Sequence, residues 1–130
     1  MSDAIDAILA SKQKTDAASK FYSVLKAEGL NEDFLEIQFR TGVRACLSYD
    51  SLTWFSYSPD DGIIDLEFGG FLVMIKGRGL LPNLFNGIKT KRVAWVREAD
   101  SDFQDNPEFE CFIESIHAEF PEGFGGEPGE

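Results

Sequence analysis

The stretch GIIDLEFGGFLVMIKGRG, residues 62–79, decides how the rest of the chain is read. Ile64, Leu66 and Phe68 alternate with Asp65 and Glu67, the period of a strand with one wet face. Gly69-Gly70 supplies the corner of a two-residue hairpin, because glycine reaches the left-handed backbone region without steric cost. FLVMIK then returns as a strand apolar on both faces, the pattern of a central strand. Two paired strands in mid-chain make a β-sheet the frame to which the flanking segments attach.

Upstream, Leu35, Ile37 and Phe39 alternate with Glu36, Gln38 and Arg40; Thr41-Gly42 turns the chain; Val43, Ala45, Leu47 and Tyr49 alternate again. After Asp50-Ser51 the aromatic-rich LTWFSY continues as a strand, and SPDDG at 58–62 is a turn with Pro59 and Gly62 at its corners. Nearer the N-terminus, Ile5, Ile8 and Leu9, and then Phe21, Val24 and Leu25, recur at helical spacing, as one long helix or two short ones divided near Asp16, with Gly29 placed to end it. Downstream, LLPNLFNGI reads as one or two helical turns starting near Pro82 and stopping at Gly87, and RVAWVRE reads as the last strand. Asn106-Pro107 offers an N-cap followed by proline at the first helical position, and Phe109, Phe112, Ile113 and Ile116 supply the apolar stripe of a closing helix that docks on the sheet. The predicted fold is therefore α+β: an N-terminal helix, about five antiparallel strands forming a bent sheet or small open barrel, a short helix before the last strand, and a C-terminal helix. One domain is expected over residues 1–120, with a disordered acidic and glycine-rich tail at 121–130.

Within GGFLVMIKGRGL, the segment Val73 to Leu80 resembles the second signature of the Sm-like family, in which an apolar strand is followed by one or two basic residues and glycine. A helix preceding a strongly bent five-stranded sheet is also similar to that fold. The resemblance implies a ring-forming module that binds RNA or other proteins.

Composition narrows the function. At 130 residues, 43% hydrophobic and 27% charged, the chain reads as one soluble globular domain. Its 23 Asp+Glu against 12 Lys+Arg give a net charge of -11, which disfavours nucleic acid and anionic membranes as generic partners of the whole molecule. The longest apolar run is too short to span a bilayer, and the opening MSDAID lacks the features of a signal peptide, so a cytoplasmic protein with no membrane contact is expected. The charges are segregated: Lys76, Arg78, Lys89, Lys91, Arg92 and Arg97 form a block without acidic residues, followed from Ala99 onward by an acidic block without Lys or Arg. Either the acidic block is a solvated face, or those six basic residues are an interaction surface over which it folds.

Catalytic chemistry is thin. His117 is the single histidine, and Cys111, six residues earlier, would not share its helix face. Cys46 and Cys111 read as buried free thiols, with Arg44 alone as weak activation for Cys46. Asp100, Asp102 and Asp105 lack the glycine and glutamate that complete a calcium loop, and Gly77-Arg78-Gly79 matches no nucleotide-binding pattern. No catalytic residue, cofactor or metal is predicted. The expected function is a non-enzymatic protein-interaction module that takes a protein partner or self-associates through an open sheet edge. Two competing readings are an Sm-like RNA-binding module, with Lys76, Arg78, Lys89, Lys91 and Arg92 on phosphates and Phe71 or Trp95 on a base, and a small enzyme built on a thiol or carboxylate.

Overall fold

A computed structural model describes residues 20–25, 30–100 and 104–119. In chain order these form β1 (Tyr22–Val24), β2 (Phe34–Gln38), β3 (Arg44–Ser48), a single 3₁₀ turn (Tyr49–Ser51), β4 (Leu52–Ser58), β5 (Ile63–Phe68), β6 (Phe71–Arg78), α1 (Asn83–Lys89), β7 (Val93–Arg97) and β8 (Phe112–Glu119). One sheet has the order β1-β7-β2-β3 and the other β4-β5-β6-β8. All pairs are antiparallel except β2 with β7, which run parallel. The predicted α+β fold is thus overturned: the described chain is mostly β, with eight strands in two sheets and one α-helix.

The hairpin read at residues 62–79 is β5 and β6, paired from Ile63↔Lys76 to Phe68↔Phe71 around Gly69 and Gly70, both at positive φ. β6 lies between β5 and β8. The two sheets share one core. Leu35 and Ile37 of β2 and Val93 and Val96 of β7 face Ile64, Leu66 and Phe68 of β5 and Val73 and Ile75 of β6, and Leu84 and Ile88 of α1 pack against the same cluster. Each of these side chains is essentially fully buried and contributes about 1.5–3 kcal/mol to folding.

No C-terminal helix forms. The segment predicted as one is β8, paired along β6, and the reason lies in a bulge. Lys76 pairs with Ser115 and Gly77 with Ile113, so Glu114 is the extra residue. Inward positions therefore fall at Cys111, Ile113, Ile116 and Ala118, and the three-residue step across Glu114 imitates helical spacing. Asn106 does cap, but only one turn: its Oδ1 accepts from the Glu108 amide at 2.8 Å and its carbonyl from the Phe109 amide at 2.8 Å. Of the predicted N-terminal helix, Phe21, Val24 and Leu25 lie in or beside β1, where pairing with β7 overrides the local period; its remainder, and the tail at 121–130, lie outside the described residues. α1 begins after Pro82 and runs through Gly87 to Lys89.

The bulge is held by two side chains. The Arg40 guanidinium donates to the Glu114 carbonyl at 2.9 Å and to Glu98 Oε2 at 3.0 Å. Glu98 also accepts from the Arg40 amide at 2.9 Å and the Ile116 amide at 3.0 Å. Burial alone would raise the Glu98 carboxyl pKa, but the amides of Arg40 and Ile116 and the Arg40 guanidinium outweigh it and hold the group below its ordinary value. With the Ala99 amide donating to the Ile113 carbonyl at 2.9 Å, residues 98 and 99 stitch the outer edge of β8 to the other sheet.

Candidate functional site

β4 has one strand neighbour, β5, among the described residues, and a solvent-open cleft of about 340 Å³ lies along it. Leu52, Thr53, Trp54 and Phe55 line the cleft from the strand. Successive residues of a strand point to opposite faces, so a cleft touching four in a row runs along the strand's edge. Thr53 is a bulge residue, since Leu52 pairs with Phe68 and Trp54 with Glu67.

The opposite wall is the end of α1, with Ile88, Lys89 and Lys91. Leu84, Gly87 and Ile88 are buried, and a Cβ at Gly87 would press on Val93 Cγ2 at 2.7 Å, so glycine lets the helix seat closely. Phe85 packs on Phe55 of β4 with ring centroids 4.9 Å apart. Tyr49 closes the end of the cleft: its hydroxyl donates to the Val93 carbonyl at 2.7 Å, and burial raises its pKa far above the ordinary value.

Lys91 adopts φ 60, the left-handed region. It follows the helix end in the cap where the Lys91 amide donates to the Ile88 carbonyl at 3.0 Å and the Arg92 amide to the Gly87 carbonyl at 2.8 Å. Glycine is the favoured residue there, and a side chain costs about 1–2 kcal/mol. The strained position carries an ammonium at the mouth of an apolar cleft, 3.9 Å from the Asp50 carboxylate. That pair is exposed on both sides and worth about 0–1 kcal/mol.

The six basic residues predicted as an interaction surface are distributed as follows. Lys89 and Lys91 meet at the cleft. Lys76 is exposed on β6. Arg78 is engaged by Asp105 through both carboxylate oxygens, at 2.6–3.2 Å, and donates to the carbonyls of Asn106 and Phe109; this joins the basic block to the acidic one. Arg92 donates to the Leu25 carbonyl, and Arg97 donates to the Lys20 carbonyl and lies 5.5 Å over the Trp95 ring. Phe71 and Trp95, read as stacking residues, belong to β6 and β7 and are half-buried.

The glycines around Arg78 serve strand approach. A Cβ on Gly77 would collide with the Phe112 carbonyl and one on Gly79 with the Glu110 carbonyl, and Gly79 has φ +71. Cys111 is buried, as expected, and burial pushes its thiol up to about 12. Cys46, expected to be packed, is exposed instead, because it lies on the outer face of edge strand β3 opposite Glu36. His117 is exposed on β8, its Nε2 3.3 Å from Glu119. Among the described residues no three His, Cys, Asp or Glu side chains group as a metal site, and no helix is long and apolar enough to cross a membrane. Trp54, Tyr49 and Phe55 were not singled out as site residues in the sequence; the readable signal is that LTWFSYS contains no charge.

Comparison of the chain with family models, with curated proteins and with solved structures finds no match.

Proposed function

We propose that this chain is a non-catalytic protein-interaction module whose docking surface is the cleft between β4 and α1. The observation that carries the reading is Trp54, 49% exposed on a seven-residue edge strand without a charged residue. Roughly half of a tryptophan's surface is about 100 Å², and covering it at about 25 cal/mol per Å² is worth on the order of 2–3 kcal/mol. An extended segment laid beside β4 would gain that contact and main-chain hydrogen bonds together. Lys91, in a glycine-favoured conformation with its ammonium exposed beside Asp50, adds a cation at the mouth of the same surface. RNA is the weaker reading, because Arg78, Arg92 and Arg97 are already bonded within the chain.

The test is a displayed library of extended peptides selected on the folded protein, with binding re-measured on Trp54→Ala and on Lys89→Ala/Lys91→Ala. Binders weakened at least about tenfold by Trp54→Ala are expected. Absence of binders, or binders indifferent to both variants, overturns the reading. So does salt-dependent binding of single-stranded RNA that both variants abolish.

A further inference from the structure

Among the described residues, the four strands at sheet edges are not alike. β1 is three residues long; β3 carries Arg44, paired with Glu36 at 3.3 Å; β8 presents Glu114, His117 and Glu119, and its outer edge is stitched by residues 98 and 99. Short length, charge and cover are the usual ways in which an edge is kept from pairing with another chain. β4 is neither short nor charged, with seven residues, LTWFSYS, of which Thr53, Trp54 and Ser56 are exposed, and among the described residues no strand covers its edge, which α1 faces across the open cleft only at its beginning. The bulge at Thr53 twists only its start, leaving Trp54 to Ser58 in regular register with β5.

The charges at the two ends of β4 differ in sign on balance, two lysines and Asp50 near its beginning against two aspartates after its end. Lys89 and Lys91 stand at the cleft beside the strand's beginning, and Asp60 and Asp61, both exposed, occupy the turn that follows its end. In an antiparallel pairing of β4 with another β4, beginning meets end. If the pair centres on Phe55, Asp50 falls opposite Asp60, like on like; if it centres on Ser56, beyond the bulge, Asp50 falls opposite Gly62 and Leu52 opposite Asp60. The Ser56-centred register is therefore the one that sets the lysine end of one strand against the Asp60-Asp61 turn of the other without opposing Asp50 to Asp60. A two-fold axis repeats the contact, so the surface is complementary to itself.

We infer that the occupant of the cleft is a second copy of the chain, with β4 pairing antiparallel to β4 across a two-fold axis and Lys89 and Lys91 of each protomer facing Asp60 and Asp61 of the other. The inference rests on the cleft being the docking surface, and it names the partner. Lys91 exchanges its exposed 3.9 Å contact with Asp50 for the partner's turn, and Trp54 becomes covered on the joined sheet. The eight strands of the two joined sheets then run continuously through the axis, with β8 of each copy at the ends.

Sedimentation velocity on the full chain up to about 200 µM is the experiment, with two charge-reversal variants, Lys89→Glu/Lys91→Glu and Asp60→Lys/Asp61→Lys. The native chain should be a dimer whose dissociation constant rises with salt. Each variant alone should dissociate at least about thirtyfold more readily, because like charges then meet at both ends of the pairing. An equimolar mixture of the two variants should recover the dimer, since every end of a mixed pair again joins opposite charges. A native chain that stays monomeric overturns the inference. So does a mixture that stays monomeric while both variants keep the native circular dichroism and melting temperature. A monomeric native chain that nevertheless binds library peptides through Trp54 removes the second copy as occupant and leaves the docking surface standing; a monomer that binds none removes both.

Discussion

Removing the Glu98 carboxylate should destabilise the fold more than removing its arginine partner, although the two form one ion pair. The Glu98 side chain is 9% exposed and that of Arg40 49%. Glu98→Ala strands the buried Ile116 amide, at about 1–3 kcal/mol, and leaves the Arg40 amide and guanidinium without their acceptor, each adding about 1 kcal/mol or less. The sum spans about 1–5 kcal/mol with its middle near about 3 kcal/mol, a large share of a typical total of about 5–15 kcal/mol. Arg40→Ala leaves both amides bonded and removes only a half-exposed guanidinium with its bond to the Glu114 carbonyl, so about 1 kcal/mol is expected. Urea unfolding at neutral pH measures both values. A Glu98→Ala loss within about 1 kcal/mol of the Arg40→Ala loss would refute the view that the carboxylate serves backbone amides first and the ion pair second.

Acid should expose the same group. Because the folded-state pKa of Glu98 is lowered from its ordinary value, its contribution is fully present above the unfolded-state pKa, about 4.3, and is lost as pH falls through the folded value. The stability gap between the native chain and Glu98→Gln should therefore be flat from neutrality to about pH 5 and narrow below about pH 4. A gap that widens on acidification would contradict the sign of the shift.

Gly79→Ala combines a left-handed φ of +71 with a collision on the Glu110 carbonyl and should lose about 3 kcal/mol or more in urea unfolding, whereas Gly42→Ala, at φ +95 with nothing within 4 Å, should lose about 1 kcal/mol. Lys91→Gly should raise stability by about 0.5 kcal/mol, read as a higher urea midpoint, while weakening dimerisation, because relief of the left-handed conformation exceeds the added chain entropy. A chromogenic thiol reagent should modify one cysteine in the native protein, Cys46, and reach Cys111 only on unfolding, with peptide mapping to assign the labelled site.

How far the sequence could be read depends on where bulges and distant pairings fall. β2, β3 and β5 coincide with stretches of simple period two, and β4 and β6 with an aromatic-rich and a continuously apolar run, because each pairs with a neighbour close in sequence. β8 does not, since one residue, Glu114, converts an inward spacing of two into three, and Asn106-Pro107 adds a true capping signal that serves a single turn. The placing of β7 between β1 and β2, parallel to β2, comes from contacts between segments distant in sequence, which no local period encodes. At the candidate site the charges of Lys89 and Lys91 were readable as part of a block of six. What the block could not reveal is that Arg78 folds onto Asp105 while the two lysines stand across from Trp54, because that depends on the helix returning beside β4. The exposure of Cys46 was missed because a strand residue flanked by Ala45 and Leu47 reads as packed, although its own side chain points to the outer face of an edge strand.

The edges of this fold are set by side chains that would otherwise invite a ligand reading. Gly77 and Gly79, which look like a phosphate cradle, let β8 come close to β6; Arg78, which looks like a free cation, clamps the turn leading into β8; and Glu98, a buried carboxylate, satisfies the amide that the bulge would leave unpaired. All three devices act at one end of the second sheet. At its other end the chain places no charge in residues 52–58, although Asp and Glu make up 23 of its 130 residues and a single lysine or glutamate would blunt the edge. On a chain of net charge -11, two lysines near the beginning of this uncharged edge, one of them beside Asp50, and two aspartates after its end make its two ends electrostatically unlike. The closed β8 edge and the open β4 edge are therefore one arrangement: fixing the first confines any pairing of the sheet to the second.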